Sequence, residues 1–433
     1  MIDRTTAPAL SSFGDLSLKF PDTVKLKNGI PCYVIDGGDD EMNYVSIFLS
    51  AGSLQEEKPA LATLTSMMIT EGNESMPSRE VAEKFDFYGA RKSAVSYEDC
   101  TEITMRSLNE NFRHTMTLLT QCIMHPSFPS DEVETFKRKL SSNISMMQER
   151  VSYIAYMNMR KHYFGADTKS GHITTPEDIM AITRDDLLAF HKQHFTAAGC
   201  SVVVAGRIDE QVMDVLNNTI GQWECDTPAA PKPILEKNPT STMLEIVDKP
   251  GALQSAVMMQ IETVKRTHED YLPLRFLIKL WGGYFGSRLM MNIREEKGYT
   301  YGIYSALQAN PYDASIVVGC ECATQHTWNV VKEVKHEMQR LREELVPEHE
   351  LSTVRQHMLS AAAKVHDTPI DIARYVASTF SSGIYPEYHN EQLKVINSIT
   401  PERLKELACR YLDESQLRIV IAGDKAQLEK IMK

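Results

Sequence analysis

The residues at 59–73, PALATLTSMMITEGN, first raise a question of chemistry. Apolar residues recur here at helical spacing after a proline, and a glycine follows the last turn, which is typical of a buried helix. Thr63, Ser66 and Met67 are three and four positions apart, so their side chains share one helix face. Two histidines and a glutamate at this spacing would form a zinc peptidase site. Hydroxyl and thioether groups are poor zinc ligands.

A second group of potential metal ligands lies in one later region. His191 and His194 are one helical turn apart and could clamp a metal ion. The other members of this group are His162, His172, Asp167 and Glu177. They leave open an enzyme that holds its own metal, although no H-E-x-x-H or H-x-x-E-H motif occurs in the sequence. Nearness in sequence does not establish nearness in space, and the alternative is that these are ordinary structural and surface groups.

The overall composition narrows the function classes. The formal net charge of −12 argues against a general nucleic-acid binder, because phosphate binding needs clustered lysine and arginine. Eight cysteines without a C-x-x-C motif predict reduced, mostly buried thiols rather than a disulfide framework. No stretch approaches the ~20 apolar residues of a membrane span. The N-terminal residues also lack the apolar core of a signal peptide, so we predict a cytoplasmic location, unless an export signal precedes this sequence.

The sequence contains an internal repeat, which shows how the helices and strands that carry any functional site are arranged along the chain. The segment ITRDDLLAFHKQHFTAAGCSVVVAGRID, from Ile182, aligns without a gap with ITPERLKELACRYLDESQLRIVIAGDKA, from Ile399, at an offset of 399 − 182 = 217. Each copy predicts a helix capped by threonine and then a short buried strand that ends at Ala-Gly. Nearer the start of each half, Pro59 and Pro273 differ by 214, so PLRFLIKLWGGYFG is a counterpart of the opening helix.

The repeat predicts two similar domains. We place the first at 1–223 and the second at 243–433, joined by an extended linker at 224–242 that is rich in proline and polar residues. Strand patterns such as CYVID, YVSIFLS and CTEITMRSL alternate with long helical patterns, of which 130–163 is an example. The predicted fold class is α+β, with helices packed on a mostly antiparallel sheet in each domain.

These motifs resemble the insulinase/pitrilysin family of zinc peptidases over nearly the whole chain, and most closely its mitochondrial-processing-peptidase-like branch. The most specific stretch is GSRLMMNIREEKGYTYGIYSAL at 286–307, which looks like the family's S-R-L-x-x-x-x-R-E-x-x-G-x-x-Y segment. Active members carry H-x-x-E-H on the first long helix, and a glutamate about 75 residues downstream completes the ligand set.

In this chain, the residues that align with the family's zinc ligands and general base are of types that do not serve in these roles. Thr63 and Met67 replace the histidines, Ser66 replaces the general base, and the distant glutamate falls near Asn143. The resemblance therefore implies that this chain binds no zinc of its own.

The resemblance also implies that part of the family's machinery survives in the second domain. There an arginine and a tyrosine seven residues later reach the zinc site and bind the substrate backbone, and Arg294 and Tyr301 match them. In dimeric members the zinc comes from one chain and this pair from the other. We therefore expect a noncatalytic subunit that lends Arg294 and Tyr301 in trans to a homologous zinc-binding partner acting on unfolded peptides. A structural scaffold subunit, which would not need this pair, is the alternative.

Overall fold

Two β-sheets, one in each half of the chain, organise the computed structural model, which describes residues 13–38, 41–225, 228–229 and 231–432. The first sheet contains β1 (Thr23–Lys25), β2 (Pro31–Asp36), β3 (Met42–Leu49), β4 (Arg91–Ser96), β5 (Thr101–Leu108) and β6 (Cys200–Gly206). Its strand order is β1-β2-β6-β3-β5-β4, and only the β2–β6 pair is parallel.

The second sheet has the same plan. It contains β7 (Leu244–Asp248), β8 (Gln254–Glu262), β9 (Thr300–Ala309), β10 (Ala314–Ala323) and β11 (Arg418–Gly423). Its order is β7-β11-β8-β10-β9, and here β7 and β11 form the one parallel pair. The predicted fold class, α+β with mostly antiparallel sheets, is confirmed.

Helices cover both sheets. Those of the first half are α1 (Leu61–Met68), α2 (Ser78–Phe87), α3 (Phe112–Met124), α4 (Ser130–Met147), α5 (Val151–Phe164), α6 (Pro176–Met180), α7 (Arg184–His194) and α8 (Glu210–Asn218). Those of the second half are α9 (Tyr271–Gly282), a π-helix (Met290–Glu296), α10 (Thr327–Glu343), α11 (Glu348–Ala363), α12 (Pro369–Ser382), α13 (Tyr388–Ser398), α14 (Pro401–Tyr411) and α15 (Lys425–Ile431).

The sequence repeat corresponds to a structural repeat. Thr183 caps α7 and accepts a hydrogen bond from the backbone N–H of Asp186, while Thr400 caps α14 in the same way. The strands that follow, β6 and β11, each lie between the antiparallel and the parallel neighbour of their sheet. The segment predicted as one long helical pattern at 130–163 is divided, because the chain turns between α4 and α5.

The two halves exchange one helix each. α5 packs on the second sheet, where Ala155 and Met159 lie against Met258 and Val420. In return, α12 packs on the first sheet, and Phe380 stacks on Phe48 with ring centroids 4.8 Å apart. The sequence did not predict this exchange, because periodicity identifies a buried helix face but not the sheet that buries it. The halves are therefore interlocked by two apolar clusters.

The predicted linker is tied to the end of α5. The described residues between 224 and 242 form no helix or strand. The backbone N–H of Asn238 donates to the carbonyl of Phe164 at 2.6 Å, and that of Thr240 donates to the carbonyl of His162 at 3.1 Å. Lys237 lies 3.7 Å from the centroid of the Tyr163 ring. The linker is thus held against the protein, and the domain boundaries at 223 and 243 stay a prediction.

Candidate functional site

The face of α1 that carries Thr63, Ser66 and Met67 is occupied by structural contacts. The Ser66 side chain is buried, and its hydroxyl donates to the backbone carbonyl of Thr63 at 2.8 Å. Thr63 and Met67 are half-buried, and Asn143 is exposed on α4. A hydroxyl already bonded to the helix and a thioether do not form a zinc ligand set. The residues at these positions do not fit the metal.

A partly buried carboxylate anchors the start of α1. Glu56 accepts hydrogen bonds from the backbone N–H groups of Ala60 at 3.1 Å and Ala62 at 2.8 Å, which have no partner within the helix. Burial raises the pKa of Glu56 from 4.5 to about 7, although these two hydrogen bonds favour the ionised form. Ala60 has a left-handed backbone, φ 67°, which brings the chain into this turn.

We expect the Glu56 carboxyl group to make stability depend on pH. Because its pKa is raised in the folded protein, the folded state binds more protons than the unfolded state between pH 4.5 and 7. The free energy of unfolding should therefore fall as pH rises through this window, by roughly 3 kcal/mol at most. Urea unfolding of the wild type and of Glu56→Gln at pH 5 and pH 8 measures this term. The wild type should lose stability relative to the variant, and equal losses would contradict the assignment.

The histidines that could have formed a separate metal site are used in other ways. His162 is bonded to the Thr240 hydroxyl at 3.0 Å, and His172 to the Asp178 carboxylate at 2.8 Å. His191 is bonded to the backbone carbonyl of Ile123 at 2.7 Å. His194 is buried against the ring of Phe190, Asp167 accepts from Asn238, and Glu177 lies in the first turn of α6. Within the described ranges, no three His, Cys, Asp or Glu side chains are grouped to hold a metal ion.

Arg294 and Tyr301, in contrast, are brought together. Arg294 lies in the last turn of the π-helix, and Tyr301 is the second residue of β9. The guanidinium carbon of Arg294 lies 5.5 Å from the centroid of the Tyr301 ring and 4.5 Å from that of Phe285. The cation therefore lies within cation–π distance of two aromatic rings, which favours this orientation of the side chain. Its Nη1 also donates to Glu295 at 2.6 Å.

The two aromatic side chains are much more exposed to solvent than the arginine. Tyr301 is 92% exposed and Phe285 is 63% exposed, whereas the Arg294 side chain is only 24% exposed. Tyr299, two residues before Tyr301, instead stacks on His326 with ring centroids 4.7 Å apart. Tyrosine and arginine are both enriched among the residues that dominate binding interfaces, so this pair is a candidate contact for another molecule.

A buried polar cluster holds the π-helix against α10. The Asn292 amide donates to Glu337 at 2.7 Å, and the Lys297 ammonium donates to the Asn292 side-chain oxygen at 2.6 Å and to Glu333 at 2.9 Å. The hydrogen bond to Glu333 raises the pKa of Lys297. These contacts fix the wider helical turn that presents Arg294, and π-helical turns are often found at functional sites.

Sequence reasoning missed Phe285, the π-helix and the ion pair between Arg294 and Glu295. No local residue pattern predicts a π-turn. The one available signal was Asn292, a polar residue among the apolar positions of a helix that had to be buried. Phe285 could not be linked to Arg294 because the intervening turn geometry was unknown.

Comparison with known proteins supports the assignment of the fold. Residues 38–177 match the family model "Insulinase (Peptidase family M16)", and residues 181–358 match "Peptidase M16 inactive domain". The chain belongs to the insulinase family, peptidase family M16.

Relatives and solved structures resemble the chain over most of its length. It is 20% identical to an "Uncharacterized zinc protease YmxG" of Bacillus subtilis (87% of this chain, 92% of the relative). It is 21% identical to the "Non-peptidase homolog YmxG" of Helicobacter pylori (87% and 88%). A crystal structure of a peptidase M16 inactive domain from Pseudomonas fluorescens superposes with a TM-score of 0.85 at 20% identity (94% and 98%).

Proposed function

We propose that this chain is the noncatalytic subunit of a heterodimeric zinc metallopeptidase that acts on unfolded peptides. On this proposal a homologous partner subunit supplies the zinc site, and this chain supplies Arg294 and Tyr301. The observation that carries the proposal is the pairing of an oriented Arg294 with a Tyr301 that is 92% exposed. The α1 face, where a self-sufficient peptidase would need its ligands, offers Thr63, Ser66 and Met67 instead.

The two side chains have the donors that peptide hydrolysis requires. Negative charge develops on the carbonyl oxygen as the peptide bond is attacked, and a positioned donor stabilises that charge. The Tyr301 hydroxyl would donate to this oxygen, while Arg294, close to the Tyr301 and Phe285 rings, would orient Tyr301 and bind the substrate backbone. In the free chain Glu295 partly neutralises Arg294, so substrate binding would compete with this ion pair.

The scaffold alternative shares the missing zinc ligands but has no use for Tyr301. The name "Non-peptidase homolog" carried by the Helicobacter pylori relative is compatible with either function. The pairing of Tyr301 with Arg294 favours the peptidase subunit, because the scaffold function gives no reason for an arginine to lie 5.5 Å from the exposed tyrosine ring. No helix among the described residues is long and apolar enough to cross a membrane. The cytoplasmic location stays a prediction.

Reconstitution tests the proposed function. The chain would be mixed with an H-x-x-E-H chain of the same family from the same organism, and cleavage of an unfolded fluorogenic peptide would be followed. We expect the two chains to associate and the mixture to be active, while this chain alone is inactive. A partner that is fully active alone and does not bind this chain would contradict the proposal.

A further inference from the structure

A long groove runs across the second sheet beside α5. That helix covers β8 and β11 but leaves β9 and β10 largely open, which creates a cleft of about 930 Å³. The cleft adjoins a second cavity of about 600 Å³, and Tyr156 and Met258 line both. Along β10 the lining extends from Ala323 to Ser315, which corresponds to roughly 26 Å of strand. We call this combined space the β9–β10 groove.

At the end nearer Tyr301 the β9–β10 groove has a mainly apolar and aromatic wall, formed by Met147, Tyr153, Tyr156, Met258 and Tyr304. The far end is more polar, and Arg266 and Asp313 are among the residues that line it. Arg150 and Glu321 contribute opposite charges, and both are exposed. At one end the groove reaches Tyr301, so it is continuous with the candidate functional site.

Two glycines create the floor of the groove. An added Cβ at Gly302 would meet no described atom within 4 Å apart from those of its two chain neighbours, so this position opens directly into space. Gly319 is different, because the Tyr304 ring lies over it, and an added Cβ would be 2.7 Å from that ring. Glycine weakens a strand interior and often marks a place where another chain or ligand approaches closely.

The fold itself does not require this apolar surface. The first sheet is built from a repeat of the same elements, and the open part of its corresponding face is polar. At equivalent positions β5 carries Glu102, Thr104 and Arg106, whereas β10 carries Val317, Gly319 and Glu321. The two halves thus share a backbone plan and differ in what the open part of each sheet presents.

We propose that the β9–β10 groove binds an extended peptide segment, and that it does so by contacting bulky apolar or aromatic side chains of that peptide. The inference rests on the proposed function, which it deepens by naming the preferred substrate class. The length of the groove accommodates about eight extended residues rather than a compact small molecule. Its continuity with Tyr301 places the bound segment beside the donors proposed to act on the peptide backbone.

Gly302→Val tests the proposal with little risk to the fold. The Cβ of the new side chain meets open space, the two methyl groups should narrow the groove, and valine should raise the strand propensity of β9. Binding of two fluorescently labelled unfolded peptides to the isolated chain would be measured by anisotropy. The peptides would be identical, except that leucine and phenylalanine in one are replaced by serine in the other. We expect the wild type to bind the apolar peptide at least tenfold more tightly, and Gly302→Val to abolish this preference.

Two further variants make the result decisive. Met147→Glu, at an exposed position of the wall, should weaken binding of the apolar peptide, whereas Thr23→Val, on the exposed β1, should leave it unchanged. A wild type without apolar preference, or a preference that survives both groove substitutions, would overturn the proposal. Because no partner is needed, failure here is distinct from failure of reconstitution. An active, Tyr301-dependent complex without apolar preference would leave the proposed function intact and reject only the groove.

Discussion

Replacing Tyr301 by phenylalanine is expected to lower the kcat of the reconstituted complex about 100-fold or more, the usual cost of losing one donor to a developing oxyanion. The reason is the loss of a single hydroxyl, since the ring and its contact with Arg294 are retained. Association of the two subunits should not change, because the substitution adds no bulk and no charge. Steady-state peptide cleavage and analytical ultracentrifugation of the same samples give both values.

The matched control is Tyr299→Phe, which also removes one tyrosine hydroxyl. Tyr299 lies two residues before Tyr301, and its ring stacks on His326. It should leave kcat within about twofold of the wild type. A Tyr301→Phe complex that works at the full rate would show that the hydroxyl does not contact the reacting carbonyl. If the scaffold alternative is correct, the complex will have no activity for either substitution to change.

Replacing Asp270 by asparagine is expected to destabilise the protein by about 3 kcal/mol, at the lower end of the cost of breaking a buried ion pair. Asp270 precedes α9 and is fully buried. It accepts hydrogen bonds from Arg403, from Arg410 at 2.6 Å and from the Tyr411 hydroxyl at 2.6 Å, all on α14. Asparagine keeps the shape but removes the charge, and the two partly exposed arginines can recover some hydration. Urea unfolding measures the loss.

The first half offers a control for this prediction. Lys58, which precedes α1, pairs with Asp186 of α7 at 2.6 Å, but the Lys58 side chain is 40% exposed. Lys58→Met should therefore cost no more than about 1 kcal/mol, as is usual for a surface ion pair. Equal costs for Asp270→Asn and Lys58→Met would mean that burial does not set the strength of these two links.

Much of the fold was predictable because its signals are local. Thr183 and Thr400 cap helices as predicted, because each threonine hydroxyl accepts a hydrogen bond from a backbone N–H in the first turn. The strands after these helices end at the predicted glycines. The exchange of α5 and α12 was not predictable, because it depends on which of two similar sheets a helix meets. The division of 130–163 into two helices was missed because the apolar pattern continues through the turn.

The candidate site was predictable in part. Matching a motif identified Arg294 and Tyr301, and the structure, which places them at the end of a helix and the start of a strand, brings their side chains together. The motif could not show that the Phe285 ring also contacts the Arg294 cation, since that contact depends on the turn before the π-helix. Nor could it show that Gly302 opens a groove, because a glycine in a strand pattern has several structural explanations.

The most direct test of the central claim is the zinc content of this chain. The purified protein would be incubated with excess zinc, freed of unbound metal by gel filtration and analysed for zinc per chain. We expect a value near zero, because Thr63, Ser66, Met67 and Asn143 offer no ligand set. A value near one zinc per chain would show that the chain holds its own metal and would contradict its assignment as a noncatalytic subunit.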